Sequence, residues 1–441
     1  MHSPKKKSIC IIGLGFVGLT LAVILAKKGF RVYGVEKKKN ILDNLKNKKS
    51  HFYEPNLNNE LKFELKKKFT FSKKIPSYKD ISTYIITVGT PLNNNKKIIT
   101  SYIKQTSREI KKVLKKDDLI ILRSTVKVGT TRKIVYPILN EKGVKYHLTY
   151  CPERAVEGSA LKELKHLPQI IGGMDKLSVN KASQIFRIVT KKIIPTSDVE
   201  TAEMIKLIDN SSRDVFFAYA NEIARICDNI GINSLEVIRS GKLNYDRTDI
   251  AQPGLVGGPC LHKDPYILSD SVNKDISAEI TLTARKINER QPYEIVSFIL
   301  KKINDFKLQN KNLKISLLGF AFKGIPTTDD MRGSMSLKVL KVLKNKIKKS
   351  KIYGYDPIIP INELKKLKII PVKSLSSAFN NKDIIIILNN HLMFQKMKIK
   401  NLTKKLNKPS LIYDVWGLFE NKKINYKNSQ YVSLGAHSKS I

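Results

Sequence analysis

Short runs of apolar residues alternate, over the first 150 positions, with stretches in which apolar residues recur every three or four places. Residues 9–12 (ICII) form the first run, which suits a strand buried on both faces. An amphipathic segment over 17–28 follows and stops at Gly29, and RVYGVE over 31–36 reads as the next strand. Further strand patterns lie at 84–88, 118–122 and 146–150, with helical stretches between them. Strands that alternate with helices predict a doubly wound parallel sheet, whose ligands bind beyond the carboxyl ends of the strands. The stretches TVGTPL, RSTVKVGT and CPERAVEGSA each follow one of these strands and are expected at that rim.

From residue 198 to 230 the pattern is helical throughout, holds no proline and ends at Gly231. Its apolar positions fall on more than one face, so the helix is expected to be buried between domains or between subunits. A second strand and helix alternation begins near Leu313 with KISLLGFAFKG and continues through a helix at 334–344, then KIYGYDP, DIIIILNNH and LIYDVWG. No sequence repeat relates it to the first. The fold class expected is α/β, with two Rossmann-like doubly wound lobes joined by a long central helix and a helical middle domain. Domain boundaries are placed at 1–196, 197–300 and 301–441. The polar residues after Glu420 are expected to fray.

Composition narrows the function classes. The chain has 441 residues, 41% of them apolar, enough for more than one core. Its formal net charge is +43, but of 81 basic residues only 13 are Arg, and aromatic residues do not alternate with them. Because Arg makes most bidentate base contacts, nucleic acid is not the expected partner. Runs such as Lys37, Lys38 and Lys39 read as solvated faces, while a small polyanionic substrate remains compatible with the charge. No apolar stretch reaches the roughly 18 to 20 residues of a membrane span, so neither membrane insertion nor a signal peptide is expected, and the reading is cytoplasmic. Cys10, Cys151, Cys227 and Cys260 lack metal-ligand spacing, so reduced thiols and no metal site are expected.

Two motifs carry chemistry. Gly13, Gly15 and Gly18 complete G-x-G-x-x-G between a strand and a helix, with Phe16 and Val17 inside it. The first glycine allows a tight turn, the second lets a pyrophosphate approach, and the third lets helix and strand pack closely. Glu36 ends the next strand, where a carboxylate accepts both ribose hydroxyls of NAD and repels the 2′-phosphate of NADP. The second motif is GLVGGPCLHKDPY, over 254–266. The nucleophilic form of Cys260 is its thiolate, and a nearby ammonium such as Lys263 favours it. Gly257 and Gly258 are expected to leave room for a substrate carbon. Cys10 and Cys227 read as core residues, whereas Cys151, at the rim beside Pro152, stays open as a second thiol candidate.

Taken in order, IGLGFVG, GTPL, STVKVGTT, CPERAVEGSA, EMIKLIDN, GGPCLHKDPY and GFAFKGIPTTDDMRGS resemble the UDP-glucose/GDP-mannose dehydrogenase family over about residues 8 to 420. The resemblance implies oxidation of the C6 alcohol of a nucleotide-linked sugar to a carboxylate, with NAD as cofactor and a thiohemiacetal and thioester formed on Cys260. It implies that Glu153 steers proton transfer in thioester hydrolysis, and that Arg154 and Glu157 of the same loop bind substrate. Lys206 would stabilise the alkoxide, Asn210 hold substrate, and Asp264 act with the lysine. Thr90, Thr125, Lys263 and Arg332 would contact cofactor, with Thr125 also in the catalytic set near the nicotinamide and water. Gly257, Lys323 and Arg247 would contact substrate, with Arg247 crossing to a neighbouring subunit of a homodimer or higher oligomer. CPERAVEG and a longer stretch between Lys323 and Arg332 lean towards UDP-N-acetylmannosamine or UDP-N-acetylglucosamine, with UDP-glucose and then GDP-mannose as the alternatives, and Pro259 is a departure from the pattern. The rival readings are a two-electron β-hydroxyacid dehydrogenase, which needs no thiol, and a non-catalytic basic binding protein.

Overall fold

The computed structural model describes residues 8–78, 80–273, 275–308, 312–420, 424 and 428–437. The chain packs as two compact units, Met1–Asn210 with Lys263–Ala278 and Ser211–His262 with Glu279–Ile441.

In the first unit eight strands form one sheet: β1 (Ser8–Ile12), β2 (Val32–Val35), β3 (Phe69–Ser72), β4 (Ile81–Ile86), β5 (Leu119–Leu122), β6 (His147–Tyr150), β7 (Gln169–Gly173) and β8 (Ile193–Pro195), in the order β3-β2-β1-β4-β5-β6-β7-β8. The apolar run at 9–12 is central because it is flanked by β2 and β4 and covered on both faces. Leu119 to Leu122 is buried throughout for the same reason. The helix Phe16–Lys27 is buried continuously from Gly18 to Ala26, more fully than an amphipathic helix would be. The strands β1, β4, β5 and β6 run parallel, so the segments after β4, β5 and β6 leave one edge, as the pattern predicts.

Two details correct the sequence reading. The sheet is not wholly parallel, because β7 runs antiparallel to β6. The strands β3, β7 and β8 carry no sequence signal, since they are three to five residues long or end in glycine and hold no extended apolar run.

In the second unit six strands form an all-parallel sheet: β9 (Leu313–Leu318), β10 (Ser350–Tyr355), β11 (Ile370–Pro371), β12 (Ile384–Ile387), β13 (Ser410–Asp414) and β14 (Ser429–Ser433), in the order β11-β10-β9-β12-β13-β14. Both sheets thus share a third, second, first, fourth, fifth, sixth arrangement of their leading strands. The expected fraying after Glu420 does not hold for 429–433, which pair with β13 from Ser410↔Ser429 to Asp414↔Ser433. This strand hides its character because polar side chains are satisfied inside: the Ser410 and Ser429 hydroxyls lie 2.8 Å apart, and the Tyr431 hydroxyl donates to Asp414 at 2.7 Å. The helix Val199–Ile230 is as long as its periodicity requires, and the helix Glu279–Asp305 belongs to this unit.

Candidate active site

The glycine fingerprint lies after β1. Gly13 has φ +96°, and a Cβ there would meet the Thr87 carbonyl oxygen at 2.8 Å. At Gly18 a Cβ would lie 1.9 Å from the Gly13 oxygen, so the helix could not approach the strand. The fold itself demands both glycines. Gly15 differs, for a Cβ would meet nothing within 4 Å, which leaves open space at the N-terminus of a twelve-residue helix. Phe16 and Val17 open that helix. Backbone N–H groups at such an end favour phosphate. The Glu36 carboxylate accepts from Leu14 N at 3.0 Å, from Lys37 N at 2.8 Å and from Lys38 N at 3.0 Å, which holds it against the glycine turn. The Lys37 ammonium turns to Glu109 at 2.6 Å, so this cation is committed elsewhere. These groups fit a dinucleotide with a free 2′-hydroxyl.

At the same rim, Thr90 Oγ1 donates to the Thr125 carbonyl at 2.7 Å and lies 3.3 Å from Lys263 Nζ. Lys263 is 3.3 Å from Asp264 Oδ1, and Asn210 Nδ2 donates to Asp264 Oδ2 at 2.6 Å. Lys206 and Asn210 are four apart on the long helix and nearly buried, as the spacing implies. Thus Thr90, Thr125, Lys263, Asp264 and Asn210 form one chain of contacts.

Glu153 is organised from beneath. Arg123 Nη2 donates to its Oε2 at 2.7 Å, while Arg154 N and Ala155 N donate to Oε1 at 2.8 and 2.7 Å. Burial by itself would raise this carboxyl, but the Arg123 charge, the Ala155 N–H and the nearby Lys206 charge outweigh it and hold Glu153 below the usual carboxylate range. Glu153 is therefore held as an anion. Arg123 also donates to the Cys151 carbonyl at 2.9 Å and to Gln169 Oε1 at 2.8 Å. Arg154 pairs with Asp209 at 2.7 Å, and Gly158, next to the half-buried Glu157, donates to Glu54 at 2.7 Å.

Cys260 belongs to the second unit, in the short helix Gly258–Leu261. It is exposed, unlike Cys10, Cys151 and Cys227. Burial pushes the Cys10 and Cys151 thiols up to about 12, which disfavours the thiolate of Cys151 near neutral pH. No open space lies where a side chain on Gly257 or Gly258 would stand. A Cβ on Gly257 would meet the Gly333 oxygen at 2.4 Å, and one on Gly258 would meet the Phe322 ring at 2.3 Å. They are glycines because the loop packs tightly on the AFKG and MRGS segments. Lys323 lies over the Phe322 ring with its ammonium 5.3 Å from the centroid. Arg332 pairs with Asp330 at 2.6 Å, and the Arg247 guanidinium stacks 5.1 Å from the Tyr245 centroid.

Sequence reasoning passed over Arg123, although its motif was marked, because nothing in RSTVKVGT distinguishes a cation aimed inward from one in solvent. It also passed over Glu203, three residues before Lys206 on the same helix. This buried carboxylate accepts from Thr131 N at 2.8 Å, from Thr131 Oγ1 at 2.6 Å and from Gly129 N at 2.5 Å, tying STVKVGTT to the long helix.

A glycine-turned cradle with Glu36 held against it is the dinucleotide-binding fingerprint, and it fits a nicotinamide-dependent oxidoreductase. More narrowly, the chain belongs to the UDP-glucose/GDP-mannose dehydrogenase family: the NAD binding domain matches residues 7–190, the central domain 200–290 and the UDP binding domain 316–421. It is an NAD-dependent nucleotide-sugar dehydrogenase. It is 32% identical over 357 residues to the UDP-N-acetyl-D-mannosamine dehydrogenase of Pyrococcus horikoshii, covering 80% of this chain and 84% of that one. It is 36% identical over 367 residues to the enzyme of that name from Methanocaldococcus jannaschii, covering 81% and 82%. Among solved structures, the P. horikoshii enzyme superposes with a TM-score of 0.87 at 29% identity, over 98% of this chain and 100% of that one. The UDP-N-acetyl-mannosamine dehydrogenase Cap5O of Staphylococcus aureus gives 0.82 at 28%, over 97% and 98%. Among the described residues no helix is long and apolar enough to cross a membrane.

Proposed function

We propose that this chain oxidises the C6 alcohol of UDP-N-acetyl-D-mannosamine to the uronate, a precursor for surface polysaccharide, through covalent intermediates on Cys260. The observation that carries the mechanism is the exposure of Cys260 against the burial of the other three cysteines. Relatives at 32% and 36% identity that bear this substrate in their names support the sugar.

NAD+, when bound, supplies the two-electron acceptor, two equivalents for the four-electron oxidation. The protein's own groups do the rest. Lys206 stabilises the alkoxide as the C6 hydroxyl passes its proton to a water held by Asp264, whose carboxylate Asn210 orients. The Cys260 thiolate adds to the aldehyde carbon and forms a C–S bond. Oxidation of that thiohemiacetal gives a thioester. Glu153, held as an anion, takes a proton from water as the water oxygen adds to the thioester carbon. The C–S bond then breaks, and the thiolate leaves with its electron pair. Lys323, Arg154, Glu157 and Arg247 serve substrate binding, and Arg332 serves the cofactor, as the family resemblance implies.

A panel of sugar nucleotides assayed for NADH tests the reading, with two NADH per uronate expected from UDP-N-acetyl-D-mannosamine. Exclusive turnover of GDP-mannose or UDP-glucose overturns the substrate. Normal uronate yield from Cys260→Ala overturns the covalent mechanism, and one NADH per product favours a two-electron dehydrogenase.

A further inference from the structure

Four buried side chains of the second unit grip the loop that carries Cys260, and the mechanism above leaves all four without a task. Arg285, on the helix Glu279–Asp305, is 1% exposed. Its Nη2 donates to the Val256 carbonyl at 2.9 Å, and its Nη1 donates to the Leu261 carbonyl at 2.9 Å and to Asp214 Oδ1 at 2.8 Å. One planar guanidinium therefore holds carbonyls on both sides of Cys260. Asp214, on the long helix, fixes the guanidinium in turn. Asn288 Nδ2 donates to the Asp214 carbonyl and to Asp214 Oδ1, each at 2.9 Å. Asn221 closes the set: its Nδ2 donates to Asn288 Oδ1 at 2.9 Å and to the Gly254 carbonyl at 3.1 Å, and its Oδ1 accepts from Gly254 N at 2.9 Å. The loop is thus pinned at Gly254, Val256 and Leu261.

A buried ion pair is a poor source of stability, since well-packed apolar side chains hold two helices together as well or better. What apolar side chains cannot do is bond three sets of backbone atoms in one loop. Resting on the reading of Cys260 as nucleophile, we infer that Arg285, fixed by Asp214 and Asn288, and Asn221 are positioning residues that hold the Cys260 loop in the geometry needed to capture the aldehyde. Arg285 is suited to this because its fork presents donors in fixed directions, which a lysine ammonium does not. Its effect falls on the second oxidation alone, because the first needs no thiol.

Arg285→Lys in the full chain tests the inference in single turnover with UDP-N-acetyl-D-mannosamine and NAD+, with semicarbazide present to trap free aldehyde. The first NADH phase and the NAD+ affinity should stay at the parent value. The second phase should slow by about tenfold to a hundredfold, the penalty of a displaced reacting group, and trapped aldehyde should appear. Asn221→Ser, which frees only the Gly254 end, should show the same split to a smaller degree, and it decides the matter if Arg285→Lys does not fold. A lower melting temperature with two NADH per sugar, parent-like second-phase rates and no trapped aldehyde overturns the inference and leaves the four residues as helix packing. Cys260→Ala run beside them separates the failures. Uronate from that variant removes the nucleophile itself, whereas an inactive Cys260→Ala with parent-like Arg285→Lys removes only the cradle.

Discussion

Arg123 Nη2 lies 2.7 Å from Glu153 Oε2 with both side chains withdrawn from solvent, and this pairing keeps the carboxylate ionised where burial alone would protonate it. Arg123→Met leaves the anion buried without its cation. Stability should fall by about 3 to 5 kcal/mol, as for other buried pairs broken on one side. The acid limb of the kcat profile should move to higher pH, because Glu153 then titrates nearer neutrality. An unchanged limb would show that Glu153 does not gate turnover.

Glu153→Gln removes the proton acceptor while the thiol stays. A burst of about two NADH per site followed by slow turnover is expected, with the acyl group retained on the peptide that contains Cys260 and visible as added mass. Steady turnover at the parent rate with no adduct would assign hydrolysis to another base.

Glu36 meets the glycine turn through Leu14 N, and Lys37 is drawn away to Glu109. NAD+ should be preferred over NADP+ by kcat/KM, and Glu36→Ala should shrink that preference by removing both the ribose acceptor and the repulsion of a 2′-phosphate. Competition between the two cofactors at fixed substrate measures it directly. A parent enzyme that uses NADP+ equally well would sink the assignment.

Glu203 is pushed up to about 7, mainly by burial, against an ordinary value of 4.5. Between these limits the folded protein holds a proton that the unfolded chain has lost. The contribution of Glu203 to stability is therefore greatest below about pH 4.5, falls as pH rises through this window, and levels off above about pH 7. Thermal melts from pH 5 to 8 should show a smaller downward slope in Glu203→Gln than in the parent. Parallel slopes would mean that Glu203 is ionised throughout.

Phe216, Tyr219, Ile226 and Ile230 follow one another at intervals of three, seven and four on the long helix, and each is about half exposed. We propose that this stripe is covered by a second copy of the chain, one of the two buried settings that its apolar periodicity allows. Phe216→Glu combined with Ile226→Glu should halve the mass measured by light scattering. A parent protein that is already monomeric at assay concentration would refute the dimer.

Local pattern alone determined a good part of this protein. The run ICII, the glycine fingerprint, the acid at position 36 and the 3.6-residue period of the long helix each specify their own geometry, because the physics that shapes them acts within a few residues. The spacing of Lys206 and Asn210 belongs to the same class. Only tertiary structure decided the rest. The polar segment 429–433 became a strand because β13 offered it an open edge, and β7 reversed direction without any local mark. Gly257 and Gly258 pack so closely on Gly333 and Phe322, more than seventy and sixty positions away, that the fold has no room for a side chain at either. Arg123, Glu203, Asp214 and Arg285 read as ordinary surface charges in sequence. Each was turned inward by partners distant along the chain, and a charge acquires a role only when the fold has removed the water around it and supplied the groups that replace it.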